Sequence, residues 1–219
     1  MPLVSESPSP YSTGGNARSL GYIPYGKTEA PSLNDLLSDL IDSDYLKNGA
    51  TKVYPAPAKT DIQRQFRTTT NSRVAQKGAV LTEQVYSAHS PKVMQKFQYM
   101  LDNGGNISEE MRTKKFAQRL LPKKWNGMGP NITATSLPDD YVHFSQPRVP
   151  TVREWARIQT FPDWYQFAGP RTTGGRRRAG DPDAGDWSRE VPKYTQIGNA
   201  VPVMLAQCIA KHMKTIIDP

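Results

Sequence analysis

The residues that most constrain this chain stand near its end: Gln196-Ile197-Gly198-Asn199-Ala200-Val201-Pro202, running on into Val203-Met204-Leu205-Ala206-Gln207-Cys208-Ile209-Ala210. They read as a tight, glycine-containing turn that delivers an asparagine amide, then a helix with proline near its first turn. Proline is tolerated there because the N–H it lacks would have had no intrahelical partner. Leu205, Ile209 and Met213 recur at helical spacing, and Ile216 extends the same apolar stripe. Lys211, His212 and Lys214 fall in the last turns, where positive charge suits the helix dipole. On these residues alone the segment is a buried helix closing a domain.

The string resembles the C-terminal signature of the DNA cytosine-5 methyltransferases, Gln-Ile/Val-Gly-Asn-Ala-Val-Pro followed by Leu-Ala and Ile-Ala. A second block resembles the same family, in the family's order: Arg148, then Thr151-Val152-Arg153-Glu154-Trp155-Ala156-Arg157-Ile158-Gln159-Thr160-Phe161-Pro162-Asp163. Thr151 and Glu154 have the spacing of a capping box, so a helix should start there, with Val152, Trp155 and Ala156 facing inward. In the family this block is a strut between the recognition domain and the catalytic core. The resemblance therefore casts Arg153, Glu154, Arg157 and Gln159 as scaffolding. It also assigns Asn199, with Ala200 and Val201 beside it, to the S-adenosylmethionine site.

The resemblance implies an α+β fold: a small mixed target recognition domain, then helices that complete a Rossmann-like core whose sheet is largely absent from this chain. The expected division is a flexible leader over 1–30, a DNA-binding recognition region over 31–146, and core-packing motifs over 147–219. The leader is rich in Ser, Pro, Gly and Tyr with few aliphatic residues, so it buries too little surface to offset its ordering entropy. Ser32 and Asp35 then mark a capped helix whose apolar face is Leu33, Leu36, Leu37, Leu40 and Ile41. From 50 to 85 the reading is open. Gln63-Arg64-Gln65-Phe66-Arg67, followed by hydroxyls and Arg73, suits either a surface lining a phosphate backbone or a solvated loop. A further helix is expected over 92–101, stopped by Asn103-Gly104-Gly105-Asn106.

A formal net charge of +8 favours a polyanionic partner, nucleic acid first. The densest basic run with aromatics contains Arg112, Lys114, Lys115, Phe116, Arg119, Lys123, Lys124 and Trp125. Basic charge supplies phosphate affinity and an aromatic can pack on sugar or base, so this run is the expected contact with double-stranded DNA. Thr133 and Thr135 sit in a Pro130–Thr135 stretch, alternating with Ile132 and Ala134 as a half-buried strand would, and resemble the strand that closes the recognition domain. Arg176, Arg177 and Arg178, beside Gly174-Gly175, form a second basic loop expected to touch DNA.

Methylating cytosine at C5 requires a thiolate that adds to C6 and a carboxylic acid near N3, with the base extruded from the helix. The family supplies these parts, and the cofactor turn, as Phe-x-Gly-x-Gly, Pro-Cys and Glu-Asn-Val, none of which occurs in this sequence. The one cysteine, Cys208, follows Gln207 rather than Pro and reads as an inert core thiol in mid-helix. No catalytic residue is assigned to the chain. The three histidines have no ligand spacing, so no metal site is expected. The sequence thus reads as the specificity part of a split or truncated cytosine-5 methyltransferase. It would share S-adenosylmethionine with an N-terminal subunit that carries the catalytic cysteine. The alternative is a non-catalytic DNA-binding remnant, or an adaptor, derived from such an enzyme. A prokaryotic or phage cytoplasm, on the nucleoid and away from membranes, is the expected location, since no run of about 18 apolar residues exists.

Overall fold

A computed structural model describes residues 31–112, 118–124, 130, 132, 140–172, 183, 185 and 191–217, the side chain of Ile216 excepted. The expected leader over 1–30 lies outside the described residues, as do Lys114, Lys115, Phe116, Trp125, Thr133, Thr135, Arg176, Arg177 and Arg178.

Local sequence sets the helix starts. Ser32 caps α1 (Leu33–Leu37) in a reciprocal box with Asp35, and a 3-10 turn (Ser38–Leu40) continues it. A short α2 (Tyr45–Asn48) follows. Thr60 and Gln63 form a second capping box on α3 (Asp61–Arg67). Ser90 caps α4 (Pro91–Asp102), with proline at its first turn. Beyond a second 3-10 turn (Glu109–Met111) come β1 (Arg119–Leu120) and β2 (Tyr141–Val142), paired in parallel with Arg119 opposite Tyr141. The third capping box, Thr151 with Glu154, opens α5 (Val152–Ile158), as its spacing predicts. The chain closes with α6 (Lys193–Asn199) and α7 (Val203–Ile217). The fold is mixed, mostly helical with a small sheet.

One core joins residues on both sides of position 146. Leu33, Leu36, Leu37 and Leu40 pack with Tyr54, Phe66 and Leu81, with Val152, Trp155 and Ala156 of α5, and with Tyr194 and Ile197 of α6. Phe97 and Met100 of α4 make a smaller cluster with Val142 and Val149.

The stretch from 50 to 85 is not a loop throughout. Backbone hydrogen bonds Thr51 N to Gln84 O (2.9 Å) and Leu81 N to Lys52 O (2.8 Å) tie its two ends into an irregular antiparallel pair. Residues 63–67 lie on a helix, and Arg67 points inward. Its Nε donates to Asp39 Oδ2 (2.8 Å) and its Nη2 to Ala56 O (2.8 Å), with the guanidinium 3.9 Å from the Tyr54 ring centroid.

Three expectations for the chain's end are corrected. Gly198 lies within α6, and the break falls at 200–202. The Ala200 N–H closes back onto Ile197 O (3.2 Å), while Pro202 has no N–H to continue the ladder. The apolar stripe of α7 is not buried: Leu205 is 51%, Ile209 48% and Met213 53% exposed. Cys208 is likewise exposed rather than a core thiol. An open groove of about 700 Å³ separates α7, at Met204, Gln207 and Ala210, from Phe66, Thr69 and Trp164. Among the described residues, the hydrogen bonds that tie α7 to the body of the domain are made at its first turn, by Val203 and Met204. No described helix is long and apolar enough to cross a membrane.

Candidate functional site

The centre of the chain is α5, whose polar residues point inward with the apolar ones. Arg153, Glu154, Arg157 and Gln159 are all buried, and each is engaged by partners within the chain. Arg148 grips Glu154 with two parallel hydrogen bonds, Nη1 to Oε2 (2.8 Å) and Nη2 to Oε1 (2.6 Å). Glu154 Oε2 also accepts the Thr151 N–H (2.8 Å), and Gln84 donates to its Oε1 (3.1 Å). Burial opposes the carboxylate's charge. The Arg148 guanidinium overcomes it and holds Glu154 well below the usual carboxylate range.

His143 stands behind this pair. The Ser145 N–H donates to its Nδ1 (3.2 Å), so the ring proton sits on Nε2, 3.6 Å from Glu154 Oε1 and without a hydrogen-bond acceptor. Burial, reinforced by the Arg148 charge, pushes the imidazole down to about 3. His143 is therefore a neutral packing element. Among the described residues no cluster of His, Cys, Asp or Glu has the makings of a metal site.

At the far end of α5, Arg157 spans two carboxylates. Its Nε and Nη2 donate to Asp163 Oδ1 (2.9 Å) and Oδ2 (2.6 Å), and Nη2 also reaches Asp39 Oδ2 (3.1 Å). Tyr54 donates its hydroxyl to Asp163 Oδ2 (2.8 Å). Arg153 spends its guanidinium on Thr82, Pro162 and Tyr165 oxygens. The network has more guanidiniums than carboxylates, and backbone carbonyls satisfy the surplus donors.

The end of α5 carries the residues assigned to the cofactor. Gln159 donates its amide to the carbonyls of Ala200 and Ile197, the latter at 3.3 Å. Its own carbonyl accepts the Val203 N–H (3.3 Å). The linker from α6 to α7 is thus fastened from behind. Its front is open: Asn199 is exposed, its amide makes no hydrogen bond among the described residues, and Val201 is 62% exposed. Such a linker offers one amide donor–acceptor pair and small apolar side chains.

The described cations of the basic run lie elsewhere. Arg112, Arg119, Lys123 and Lys124 are exposed, and none is in an ion pair among the described residues. Arg119 projects from β1 with its guanidinium 5.0 Å from the centroid of Tyr141. The other expected DNA-binding positions lie outside the described residues.

Sequence reasoning missed Asp39, Gln84, His143, Thr160 and Asp163. Asp39, Gln84 and Thr160 meet their partners across long stretches of chain, which spacing does not disclose, and His143 meets Ser145 and Glu154 nearby, through loop geometry that carries no periodic signal. A signal existed for Asp163 alone, at the end of the Phe-Pro-Asp that stops α5.

A sequence model described as C-5 cytosine-specific DNA methylase matches residues 27–215. Type II methyltransferase M.DdeI of Desulfomicrobium norvegicum is 29% identical over 200 residues, covering 85% of this chain and 43% of that protein. Type II methyltransferase M.AquIB of Picosynechococcus sp. is 33% identical over 127 residues, 57% of this chain and 81% of that protein. Type II methyltransferase M.Eco47II of Escherichia coli is 37% identical over 128 residues, 55% of this chain and 26% of that protein. The chain thus spans less than half of M.DdeI and about a quarter of M.Eco47II. The match extends across the capped strut α5, the linker it fastens and most of α7, and on that ground the chain belongs to the C-5 cytosine-specific DNA methylase family.

Proposed function

We propose that these 219 residues are the C-terminal, specificity-bearing portion of a DNA (cytosine-5)-methyltransferase. They work with a catalytic portion that carries the Pro-Cys nucleophile and most of the cofactor site. The observation that carries this reading is α7: an apolar stripe at Leu205, Ile209 and Met213 lies about half exposed. A helix of that composition is stable when a partner covers it. M.AquIB supports a two-part arrangement, because a 127-residue match covering 81% of it makes it shorter than this chain.

In this reading S-adenosylmethionine supplies the methyl group. Asn199 offers its amide to that molecule, and Ala200 and Val201 line the same edge, all held in place by Gln159. Arg112, Arg119, Lys123 and Lys124, with the basic residues outside the described set, take the phosphates of double-stranded DNA. The recognition region is 31–146 and the core-packing region 147–219, with α5 bracing one against the other. The relatives' names support a role beside a Type II restriction system, in the bacterial cytoplasm or a phage-infected one.

Methyl transfer from labelled S-adenosylmethionine to DNA tests the reading. The chain is assayed alone, and then with a polypeptide that bears the Phe-x-Gly-x-Gly turn and the Pro-Cys dipeptide of the family. Transfer with the partner and none without it is the expected result. Transfer by the chain alone would overturn it, and silence in both arms would leave a DNA-binding remnant as the better account.

A further inference from the structure

Helix α5 ends in a motif that ordinarily calls for glycine. The Phe161 N–H bonds Ala156 O (2.8 Å) and the Thr160 N–H bonds Arg157 O (2.9 Å), the paired closure of a Schellman turn. Thr160 occupies its left-handed position at φ 62°. A β-branched residue is a genuine outlier there, and glycine would adopt the same backbone without the steric cost. What threonine has and glycine lacks is a hydroxyl. That hydroxyl is in use: Thr160 Oγ1 accepts the backbone N–H of Met204 (2.9 Å).

Met204 is in the first turn of α7, where helical N–H groups have no intrahelical partner. Pro202, just before the helix, has no side-chain acceptor to cap it. Two of the orphan donors are instead satisfied from α5, Val203 N–H by the Gln159 carbonyl and Met204 N–H by the Thr160 hydroxyl. The strut therefore caps α7 in trans, and the linker 199–201 hangs between that cap and the end of α6.

We propose that Thr160 is a positioning residue for the linker: its hydroxyl, held in a strained turn, fixes the start of α7 and so the place from which Asn199 meets the cofactor. The role toward the cofactor rests on the reading of 199–201 proposed above. The latch itself is a property of this chain alone.

Thr160→Gly relaxes the backbone and removes the hydroxyl cap together with the methyl group, a change the left-handed turn accepts without strain. Thr160→Ser keeps the hydroxyl. In the full chain, hydrogen exchange at residues 203–206 should be on the order of fivefold faster in the glycine variant, a typical effect of a lost cap, and near wild type in the serine variant. In the assembled enzyme, S-adenosylmethionine should bind severalfold more weakly to the glycine variant, with serine restoring it. In an Asn199→Ala background the same glycine change should cost little, since the two residues act through one contact. Unchanged exchange in Thr160→Gly, no rescue by serine, or full additivity with Asn199→Ala would each overturn the proposal. If the wild-type assembly binds no S-adenosylmethionine, the methyltransferase reading fails. Exchange alone then decides the latch: faster in glycine and restored in serine supports it, and no change sinks it.

Discussion

Arg157 and Asp39, 118 residues apart in sequence, form an ion pair with no exposed surface on either side chain. Asp39 also receives Arg67 from α3, so this one carboxylate pairs with two buried guanidiniums drawn from different parts of the chain, Arg157 being shared with Asp163. The arrangement ties α1, α3 and α5 together at a single point.

Asp39→Asn should therefore be among the most damaging single changes. It keeps the size of the side chain but leaves two buried cations without their shared anion. Breaking a buried pair from one side costs about 3–5 kcal/mol, a large share of a domain's stability. Urea unfolding should show a stability loss of that size, read as a lower midpoint with little change in slope. A loss below about 1 kcal/mol would mean that Arg67 and Arg157 find other partners or reach water.

The His143 ring predicts how stability varies with pH. Unfolded, the imidazole takes a proton below its ordinary value of about 6.5; folded, it stays neutral until about 3. Between those values the unfolded state binds the extra proton, so stability should fall as pH falls, at up to about 1.4 kcal/mol per pH unit. Glu154 and Asp163, whose folded carboxyls are held below their ordinary range, add losses of the same sign only below about 4.5. His143→Gln, compared with the parent by urea unfolding at pH 7.0, 6.0 and 5.0, should flatten the upper part of the profile. An equal slope in both proteins would show that the histidine is charged in the fold.

Local chemistry made the helix starts legible. Ser32 with Asp35 and Thr151 with Glu154 lie within one turn of the donors they cap, so a few residues carry the whole signal. What the sequence concealed depends on distant partners. Arg67 looked like any cation in a polar stretch because Asp39 lies on another helix. Gly198 looked like a turn because glycine usually marks one, yet the helix runs through it and ends at Asn199, ahead of Pro202. The exposure of Cys208 was concealed too, because a thiol in mid-helix reads as a core residue, whereas an uncovered Leu205 stripe is what the resemblance implies for a helix whose docking surface lies outside this chain. Asn199 could be singled out only through resemblance, because nothing in its spacing distinguishes a displayed amide from a buried one.

Arg119, Lys123 and Lys124 are exposed and free of ion pairs among the described residues, so removing them should leave folding intact. Each that contacts a phosphate releases counterions on binding. Replacing it by alanine should lower the slope of log affinity against log salt by about 0.9 for duplex DNA. Fluorescence anisotropy with a labelled duplex at several salt concentrations measures this. A drop in affinity with an unchanged slope would assign the residue to base contact, and no drop at all would remove it from the interface.

The final helix gives the sharpest separation between folding and assembly. Leu205 and Ile209 are each about half exposed, so Leu205→Glu and Ile209→Glu take little apolar surface out of the chain's own core. Thermal unfolding of the isolated chain should move by no more than the small amount typical of a surface change. Association with the catalytic portion should suffer far more. Each residue, already half covered, forfeits about 1 kcal/mol of further burial, and a charge is left in an apolar contact, so affinity should fall about tenfold or more per substitution. Titration calorimetry against the catalytic portion reads the loss directly. A helix that served only to finish this domain would give the reverse pattern, because glutamate would then cost stability in the isolated chain and leave the association of what remains folded unchanged.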